Sequence, residues 1–414
     1  MDTNLLKLTV IDQNQNFRLT QVILERTVPD ELLKTKKIVA ITGIRRSGKS
    51  TLLWLISRKI NTFYYLNFED ERLLNFSAEN FNDLLEIYFE LFGEQKIMLF
   101  DEIQNIPGWE KFVRRLFDEG YKIFITGSNS KLLSSEMATA LTGRHIKYEL
   151  YPLSFKEYLL FNHFTCRDNY HYATKEKSKI KKYLTEYIEY GGFPEIIKSK
   201  SKTELSQLYQ DIIIKDLIVR FGIKETHSFR ELAMYLVSNI TSYISYNNLA
   251  KTLHISSVTT VKNFISYFEE AYIMFSVSLF DYSYKKQIIN NKKIYVIDTG
   301  IYNAISLKFS ANTGAIFENI VFIELKRRNK EVYYYYGIAE CDFLIREETK
   351  IRQAIQVCSD ISKVKTYERE IKGLCEACNQ FNLKEGTLIT YDLEKSIKHE
   401  GVRINMLPLW KWLL

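Results

Sequence analysis

The sequence predicts an α/β protein: a doubly wound parallel sheet bearing a phosphate-binding loop, then a helical lid, a winged helix-turn-helix and a C-terminal α/β domain. Three observations carry this prediction. Short apolar runs alternate with helical spacing through the first third; the β signal disappears between about Ser154 and Gly222 and returns after Ile294; and a Gly-, Arg- and Ser-rich segment, 43–50, separates an apolar run from a helix-patterned one. At 414 residues the chain exceeds a single core, and at about 150 residues per domain roughly two or three domains are expected.

The elements follow in order. Residues 37–42, 62–66, 96–100 and 121–126 read as buried parallel strands, with a fifth at 146–150. Between them, Phe81, Leu84, Leu85, Tyr88 and Phe89, and then Trp109, Phe112, Val113, Leu116 and Phe117, keep the spacing of one helix face. This domain is expected to span 1–153. A helical lid over 154–227 is Lys- and Glu-rich and is interrupted by the turn Gly191-Gly-Phe-Pro194. Residues 228–290 offer three helical patterns. Leu249 and Leu253 lie on the second, a break falls at His254-Ile255, and Val258, Val261, Phe264, Ile265 and Phe268 mark the third, which is helix-turn-helix spacing. Strands at 331–336, 342–345 and 353–358, flanked by helices, complete a C-terminal domain over 291–414.

Composition excludes little. Hydrophobic residues at 46% and charged residues at 26%, with only 5 prolines, describe a folded chain with little room for disordered linkers. The 57 basic and 50 acidic residues leave a net charge of +7, which permits nucleic acid as a partner without requiring it. No run reaches the ~18 apolar residues of a membrane span, and the 5 scattered cysteines with no apolar leader point to reduced thiols in a cytoplasm. Cys375 and Cys378 have redox or zinc spacing but no second pair, so they read as packed helix thiols.

The segment Gly43-Ile-Arg-Arg-Ser-Gly-Lys-Ser50 matches Gly-x4-Gly-Lys-Ser, with Gly43, Gly48, Lys49 and Ser50 in the fixed places. The glycines let the backbone wrap its N–H groups around a phosphate at a helix N-terminus. Lys49 then reaches the β and γ oxygens, and the Ser50 hydroxyl ligates Mg²⁺. Arg46, Ser47 and Thr51 complete the candidate nucleotide-binding set. Arg45 and Arg46 read equally well as nucleotide or partner contacts and as solvated or acid-paired side chains. Residues 97–100 run into Asp101-Glu102, placing a magnesium-holding carboxylate and an adjacent candidate general base at the end of a neighbouring strand. After the next strand, either Ser128 or Asn129 is placed to sense the γ-phosphate, or to cap a turn. Arg144, just before the fifth strand, is either an arginine finger or a surface arginine.

The blocks "GIRRSGKSTLL", "IMLFDEIQNIPGWE", "FITGSNSKLL", "LTGR" with "LYPLSFKEY", "GGFPE", "DIIIKDL", "GAIFENIVFIEL" and "ECDFLI" together resemble the AAA-type P-loop ATPases. More closely, they resemble a bacterial and archaeal family that joins such a domain to a winged helix and a C-terminal domain of uncharacterised function. The resemblance implies an ATP-binding switch in which Asp101 and Glu102 are the magnesium and water-activating pair, with Arg144 offered to a neighbouring subunit. It also implies a C-terminal fold like that of PD-(D/E)XK nucleases, which bind metal through an acid on a first helix, an Asp on a strand and an (Asp/Glu)-x-Lys on the next. Glu318 and Asp342 fill the first two places, but the third reads Gln356-Val-Cys358, an amide and a thiol in place of the acid and lysine. A hard Mg²⁺ ion prefers carboxylate oxygens, so this site is expected to be degenerate unless Lys363 or Lys365 substitutes. Glu318 and Asp342 then read as structural, capping or pairing inside the fold.

The third helix of the helix-turn-helix presents Ser256, Ser257, Thr259, Thr260, Lys262 and Asn263, polar but without arginine. Tyr284-Lys-Lys-Gln287 and Lys292-Lys293 read as a basic wing. The expected function is Mg-dependent binding and hydrolysis of ATP that drives conformational switching of the winged helix and an inactive nuclease-like module. Two alternatives stay open: an ATP-regulated, metal-dependent DNA nuclease, and a slow nucleotide-gated scaffold for DNA or protein. ATP and Mg²⁺ are the expected ligands. DNA, a protein partner and further copies of the chain are candidate partners, and no membrane is expected.

Overall fold

Strand β1 (Ile38–Thr42) is buried at every position, so both of its faces must be covered by apolar side chains. The computed structural model describes residues 1–19, 26–128, 141–165, 174–307 and 312–414. They form two units, Met1–Tyr151 and Pro152–Leu414. In the first, β1 is joined by β2 (Tyr64–Asn67), β3 (Ile97–Asp101), β4 (Lys122–Gly127) and β5 (His145–Glu149) in the order β2-β3-β4-β1-β5, all parallel. Successive strand residues face opposite sides, and the core divides accordingly. Ile38, Ala40, Tyr64, Leu66, Met98 and Phe100 pack with helices α1 (Thr3–Leu19), α4 (Phe81–Phe92) and α5 (Trp109–Asp118). Val39, Ile41, Tyr65, Leu99 and Phe124 pack with the short α2 (Asp30–Lys34) and with α3 (Lys49–Ser57). Each fully buried side chain of this size contributes roughly 1.5–3 kcal/mol.

Helix α1 has no counterpart in the sequence reading, because its buried side includes Thr9, Gln13 and Asn14 and so lacks an apolar stripe. Its role explains the polarity: it closes the open edge of the sheet. Gln13 Nε2 donates to the Asn67 carbonyl at 3.1 Å while its Oε1 accepts from the Asn67 N–H at 2.7 Å, and Asn14 Nδ2 donates to the Tyr65 carbonyl at 3.0 Å. Side-chain amides thus satisfy β2 backbone groups that a further strand would otherwise meet.

The second unit begins with α6 (Phe155–Phe161), whose first turn is closed by a capping box between Ser154 and Glu157. Helices α7 (Thr174–Tyr190), α8 (Pro194–Ser199) and α9 (Lys202–Asp211) follow, and α9 runs on into a π-helical segment, Ile212–Val219. Then come α10 (Thr226–Ser238), α11 (Tyr246–Thr252) and α12 (Val258–Glu270). Against them lies an antiparallel sheet in the order β6-β8-β7, formed by Tyr243–Ile244, Lys292–Val296 and Met274–Ser278.

Two expectations change here. Strands already form at β6 and β7, ahead of Ile294, and the expected basic wing does not exist as such. Residues 284–289 are a helix, α13 (Tyr284–Ile289), and Lys292 and Lys293 are buried in β8. Lys292 Nζ donates to Ser278 Oγ at 2.9 Å and to the Gln287 carbonyl, while Lys293 is surrounded by carboxylates from residues far along the chain. A lysine pair looks solvated until such distant acids replace its water.

The chain continues through α14 (Thr299–Ile305) and α15 (Thr313–Arg327) into a six-stranded sheet, β13-β14-β12-β11-β10-β9. Strands β9 (Glu331–Tyr336), β10 (Glu340–Glu347) and β11 (Lys350–Cys358) form an antiparallel meander. Helix α16 (Val364–Gln380) leads to β12 (Glu385–Thr390), parallel to β11. The hairpin β13 (Lys395–His399) and β14 (Val402–Pro408) and the short α17 (Leu409–Trp412) end the unit. Cys375 and Cys378 of α16 are buried against Leu344, Ala354 and Leu388, and burial pushes their thiols up to about 11 and about 12. They are packing groups, as expected. Among the described residues no helix is long and apolar enough to cross a membrane.

The turn Gly191-Gly192 is held by Asp298, the N-cap of α14. One carboxylate oxygen accepts from the Gly192 N–H at 2.7 Å and the other from the Gly300 N–H at 2.9 Å. Gly191 has φ 76°, and a Cβ there would lie 1.8 Å from Asp298 Oδ1. Gly191→Ala is therefore expected to destabilise the fold by well over about 1 kcal/mol, readable as a lowered urea midpoint. Burial pushes the Asp298 carboxyl from 3.8 up to about 6, against backbone bonds from Gly192, Gly300 and Ile301 and the Arg327 charge, which favour its charged form. A folded-state value raised above the unfolded one contributes stability that is complete below pH 3.8 and lost as pH rises through about 6. The unfolding free energy of the wild type relative to Asp298→Asn should thus fall between pH 4 and pH 7, by up to about 3 kcal/mol at ~1.4 kcal/mol per unit. A pH-independent difference would show that Asp298 is ionised throughout.

Candidate functional site

The phosphate-loop segment leaves the C-terminal end of β1, the sheet edge where ligands of open α/β folds bind. Gly43 has φ 152°, and a Cβ on it would stand 2.1 Å from the Leu150 carbonyl oxygen, so the turn tolerates no side chain there. Arg46 (φ 62°) and Gly48 (φ 96°) also adopt left-handed backbone, wrapping the loop onto the N-terminus of α3, which Gly48 caps. The buried Ser47 hydroxyl has no hydrogen-bond partner among the described residues. An unmatched hydroxyl inside a cradle of this shape fits a phosphate group. Thr51 lies one position beyond Ser50 in the first turn of α3.

Lys49 is buried, with Nζ donating to the Gly43 and Ile44 carbonyls, both at 3.3 Å, and standing 3.5 Å from Glu102 Oε1. Asp101, at the end of β3, is fully buried and accepts from the Thr126 hydroxyl and from that of Ser50. Burial and then the neighbouring Glu102 charge push its carboxyl above the usual range, partly offset by those hydroxyls and by Lys49. The Ser50–Asp101 pair presents the hard oxygen donors that Mg²⁺ prefers, so this part of the site fits that ion.

Glu102 stands in left-handed backbone (φ 51°), which turns its side chain off the end of the strand. Its N–H donates to Thr126 Oγ1 at 3.0 Å, and its Oε2 accepts from Gln104 Nε2 at 2.5 Å and from the Ser128 N–H at 3.2 Å. Ser128 therefore meets the site through its backbone. Asn129 lies outside the described residues. Arg45 is paired with Glu69 at 3.5 Å, the acid-paired alternative for that residue.

Arg144 stands apart. β5 runs parallel to β1, Ile38 pairs with His145, and the Ile38 N–H donates to the Arg144 carbonyl, so Arg144 lies at the opposite end of β1 from the loop. Five strand residues at about 3.3 Å each separate the two ends by roughly 15 Å. Its guanidinium meets Asp118 at 3.3 Å. The structure does not bring Arg144 to the phosphate loop of its own chain.

Sequence reasoning missed three contributors. Arg26 is buried and donates to the Ser47 carbonyl at 3.0 Å and the Tyr151 carbonyl at 2.7 Å, bracing the back of the loop. Thr126 couples Asp101 to Glu102, and Gln104 holds Glu102. Thr126 at the end of a strand opposite Asp101 was the one discoverable signal; Arg26 has no local pattern around it.

In the second unit, the structure brings Glu318 of α15, Asp342 of β10 and Gln356 of β11 to one cavity of about 610 Å³, and Cys358 also lines it. Gln356 Oε1 accepts from the Asp342 N–H at 3.0 Å and its Nε2 donates to Glu370. Asp342 Oδ2 accepts from the Val357 N–H at 2.9 Å. Burial pushes the Cys358 thiol up to about 11. Lys363 borders the cavity, and Lys365 is not among its lining residues.

Residues 35–159 match the AAA domain family, and residues 181–313 match a domain of unknown function, DUF8612. Among solved structures, Cdc6p from Pyrobaculum aerophilum aligns over 78% of this chain and 98% of its own at 13% identity, with a TM-score of only 0.28. An uncharacterized protein of Haemophilus influenzae is 33% identical over 91% of this chain and 94% of its own length. The uncharacterized protein MJ1544 of Methanocaldococcus jannaschii is 39% identical over 100% of this chain and 96% of its own length. The AAA match of residues 35–159 falls on the phosphate loop and the Asp101-Glu102 pair, and on the full-length similarity the chain belongs to the same family as MJ1544.

Proposed function

We propose that the protein is a Mg-dependent ATPase whose nucleotide state sets the arrangement of a winged helix and a nuclease-like module. The observation that carries the reading is the cluster of buried Lys49, Asp101 and Thr126 with half-buried Glu102 and exposed Ser50 at the C-terminal end of the parallel sheet, beside the Ser47 hydroxyl that lacks a hydrogen-bond partner among the described residues. In this reading the loop N–H groups and Lys49 hold the phosphates, and Ser50 and Asp101 hold Mg²⁺. The bound ion would neutralise charge on the β and γ oxygens. Glu102, oriented by Ser128 and Gln104, takes the proton of the attacking water as the γ-phosphate is released as inorganic phosphate. The position of Arg144 supports a role offered across an interface between copies and disfavours one within the chain.

The domain reading is 1–153, 154–227, 228–290 and 291–414. The division of the chain after Tyr151 supports the first boundary. Helices α10–α12 with the β6-β8-β7 sheet support a winged helix. On α12 and the turn before it, Ser256, Ser257, Thr259, Lys262 and Asn263 are exposed and offer hydrogen bonds to a nucleic-acid backbone. Helix α15, the β9-β10-β11 meander, α16 and the parallel β12 support the nuclease-like reading of the last domain.

Lys49→Ala should abolish ATP binding by calorimetry. Glu102→Gln should bind ATP normally while phosphate release falls at least about 100-fold, because only the base is removed. Wild-type turnover in Glu102→Gln would take that residue out of its role. Arg144→Ala should bind ATP but not turn it over, and mixing it with Lys49→Ala should recover activity at interfaces pairing a sound loop with a sound arginine. If mixed oligomers form and no ratio exceeds the separate variants, Arg144 has no role in trans.

A further inference from the structure

The cavity that gathers Glu318, Asp342 and Gln356 also contains a cation supplied by the chain. Lys293 enters from β8, and its ammonium stands 2.9 Å from Glu318 Oε1 and 3.1 Å from Asp342 Oδ1 and also contacts Glu340. An ammonium has three N–H donors, and here three carboxylates receive them. The Tyr243 ring lies 5.7 Å away, and Tyr295 donates its hydroxyl to the same Glu318 oxygen at 2.7 Å. Lys293 is only 2% exposed. Burial alone would push its ammonium down, but Glu318, Asp342 and Glu340 reverse this and hold it well above the ordinary lysine range. Glu318 and Asp342 are themselves raised by burial, partly offset by Lys293.

A nuclease of this topology would hold its divalent ion between the helix acid and the first strand acid, here Glu318 and Asp342. Mg²⁺ requires oxygens at about 2.0–2.1 Å. An ion coordinated by both Glu318 Oε1 and Asp342 Oδ1 would compete for oxygens already bonded to the Lys293 ammonium, and would place two cations in one pocket. The residues present do not fit a metal as they stand. Glu340 supplies a third carboxylate to the cavity, and Lys293 supplies its cation.

We infer that Lys293 is a tethered cation occupying the place of the divalent metal, which makes this cavity a lysine-filled site that refuses Mg²⁺ and Mn²⁺ and supports no phosphodiester cleavage. This rests on the nuclease-like reading of the C-terminal domain. Lys293 then also acts as a cross-link, joining β8 to α15 and β10 through charge.

The test is Mn²⁺ binding to the full chain without nucleotide, followed by the electron paramagnetic resonance of free Mn²⁺, for wild type, Asp342→Asn, Lys293→Met and Lys293→Met/Asp342→Asn. Methionine keeps the stem and removes the charge. The wild type should show no Mn²⁺ binding that depends on Asp342; Lys293→Met should gain a site at least tenfold tighter; and the double variant should lose it. Asp342-dependent binding in the wild type overturns the inference even if the methionine variant fails to fold. Failure of a folded Lys293→Met to gain a site overturns it as well. Incubation of wild type with DNA separates the two readings. Binding without cleavage defeats only the tethered-cation inference, whereas cleavage lost in Asp342→Ala but kept in Lys49→Ala also defeats the inactive-module proposal.

Discussion

A charge taken out of water must be met by opposite charge or by hydrogen bonds, and this constraint shapes every site in the chain. Asp101 is fully buried and is met by the hydroxyls of Tyr65, Thr126 and Ser50 and by a nearby lysine. Lys49 is met by two loop carbonyls and Glu102, and Asp298 by two backbone N–H groups. Lys293 is met by three carboxylates. Breaking any one of these sets leaves a buried charge uncompensated, which is why the groups fall into tight clusters.

The two clusters answer the constraint differently. At the phosphate loop the compensation is partial: Ser47 keeps a hydroxyl without a hydrogen-bond partner among the described residues, which leaves a donor for an incoming anion. In the C-terminal cavity the three N–H donors of Lys293 find three carboxylates, and the Gln356 amide is consumed by the Asp342 backbone and Glu370. One site has room for ligand charge. The other has been closed by charge from the chain itself.

The sheet sets what these clusters can reach. Because all five strands of the first unit are parallel, the ends of β1, β3 and β4 gather the loop, Asp101, Glu102 and Thr126 at one edge. The same geometry sends Arg144, at the start of β5, to the other edge. A residue only six positions from Leu150, whose carbonyl shields Gly43, is thereby separated from the loop by the length of a strand.

Much of this was legible in the residues. The five parallel strands, the helix faces of Phe81 to Phe89 and Trp109 to Phe117, the loop and the Asp101-Glu102 step all declare themselves through local apolar pattern or a spaced motif, whose physics acts within a few residues. The edge-closing helix at Thr3–Leu19 did not, because its buried side makes amide hydrogen bonds in place of an apolar stripe. Arg26 was missed and Lys293 misread for a shared reason. The meaning of a charged side chain lies in its partners, and for Lys293 these stand 25 and 49 residues away in the chain at Glu318 and Asp342. The sequence by itself determined which segments become strands and helices and where a phosphate loop lies, since those follow from short-range periodicity. Only the tertiary structure decided which charges meet, since Coulomb energy and desolvation depend on distance in space and not on distance along the chain.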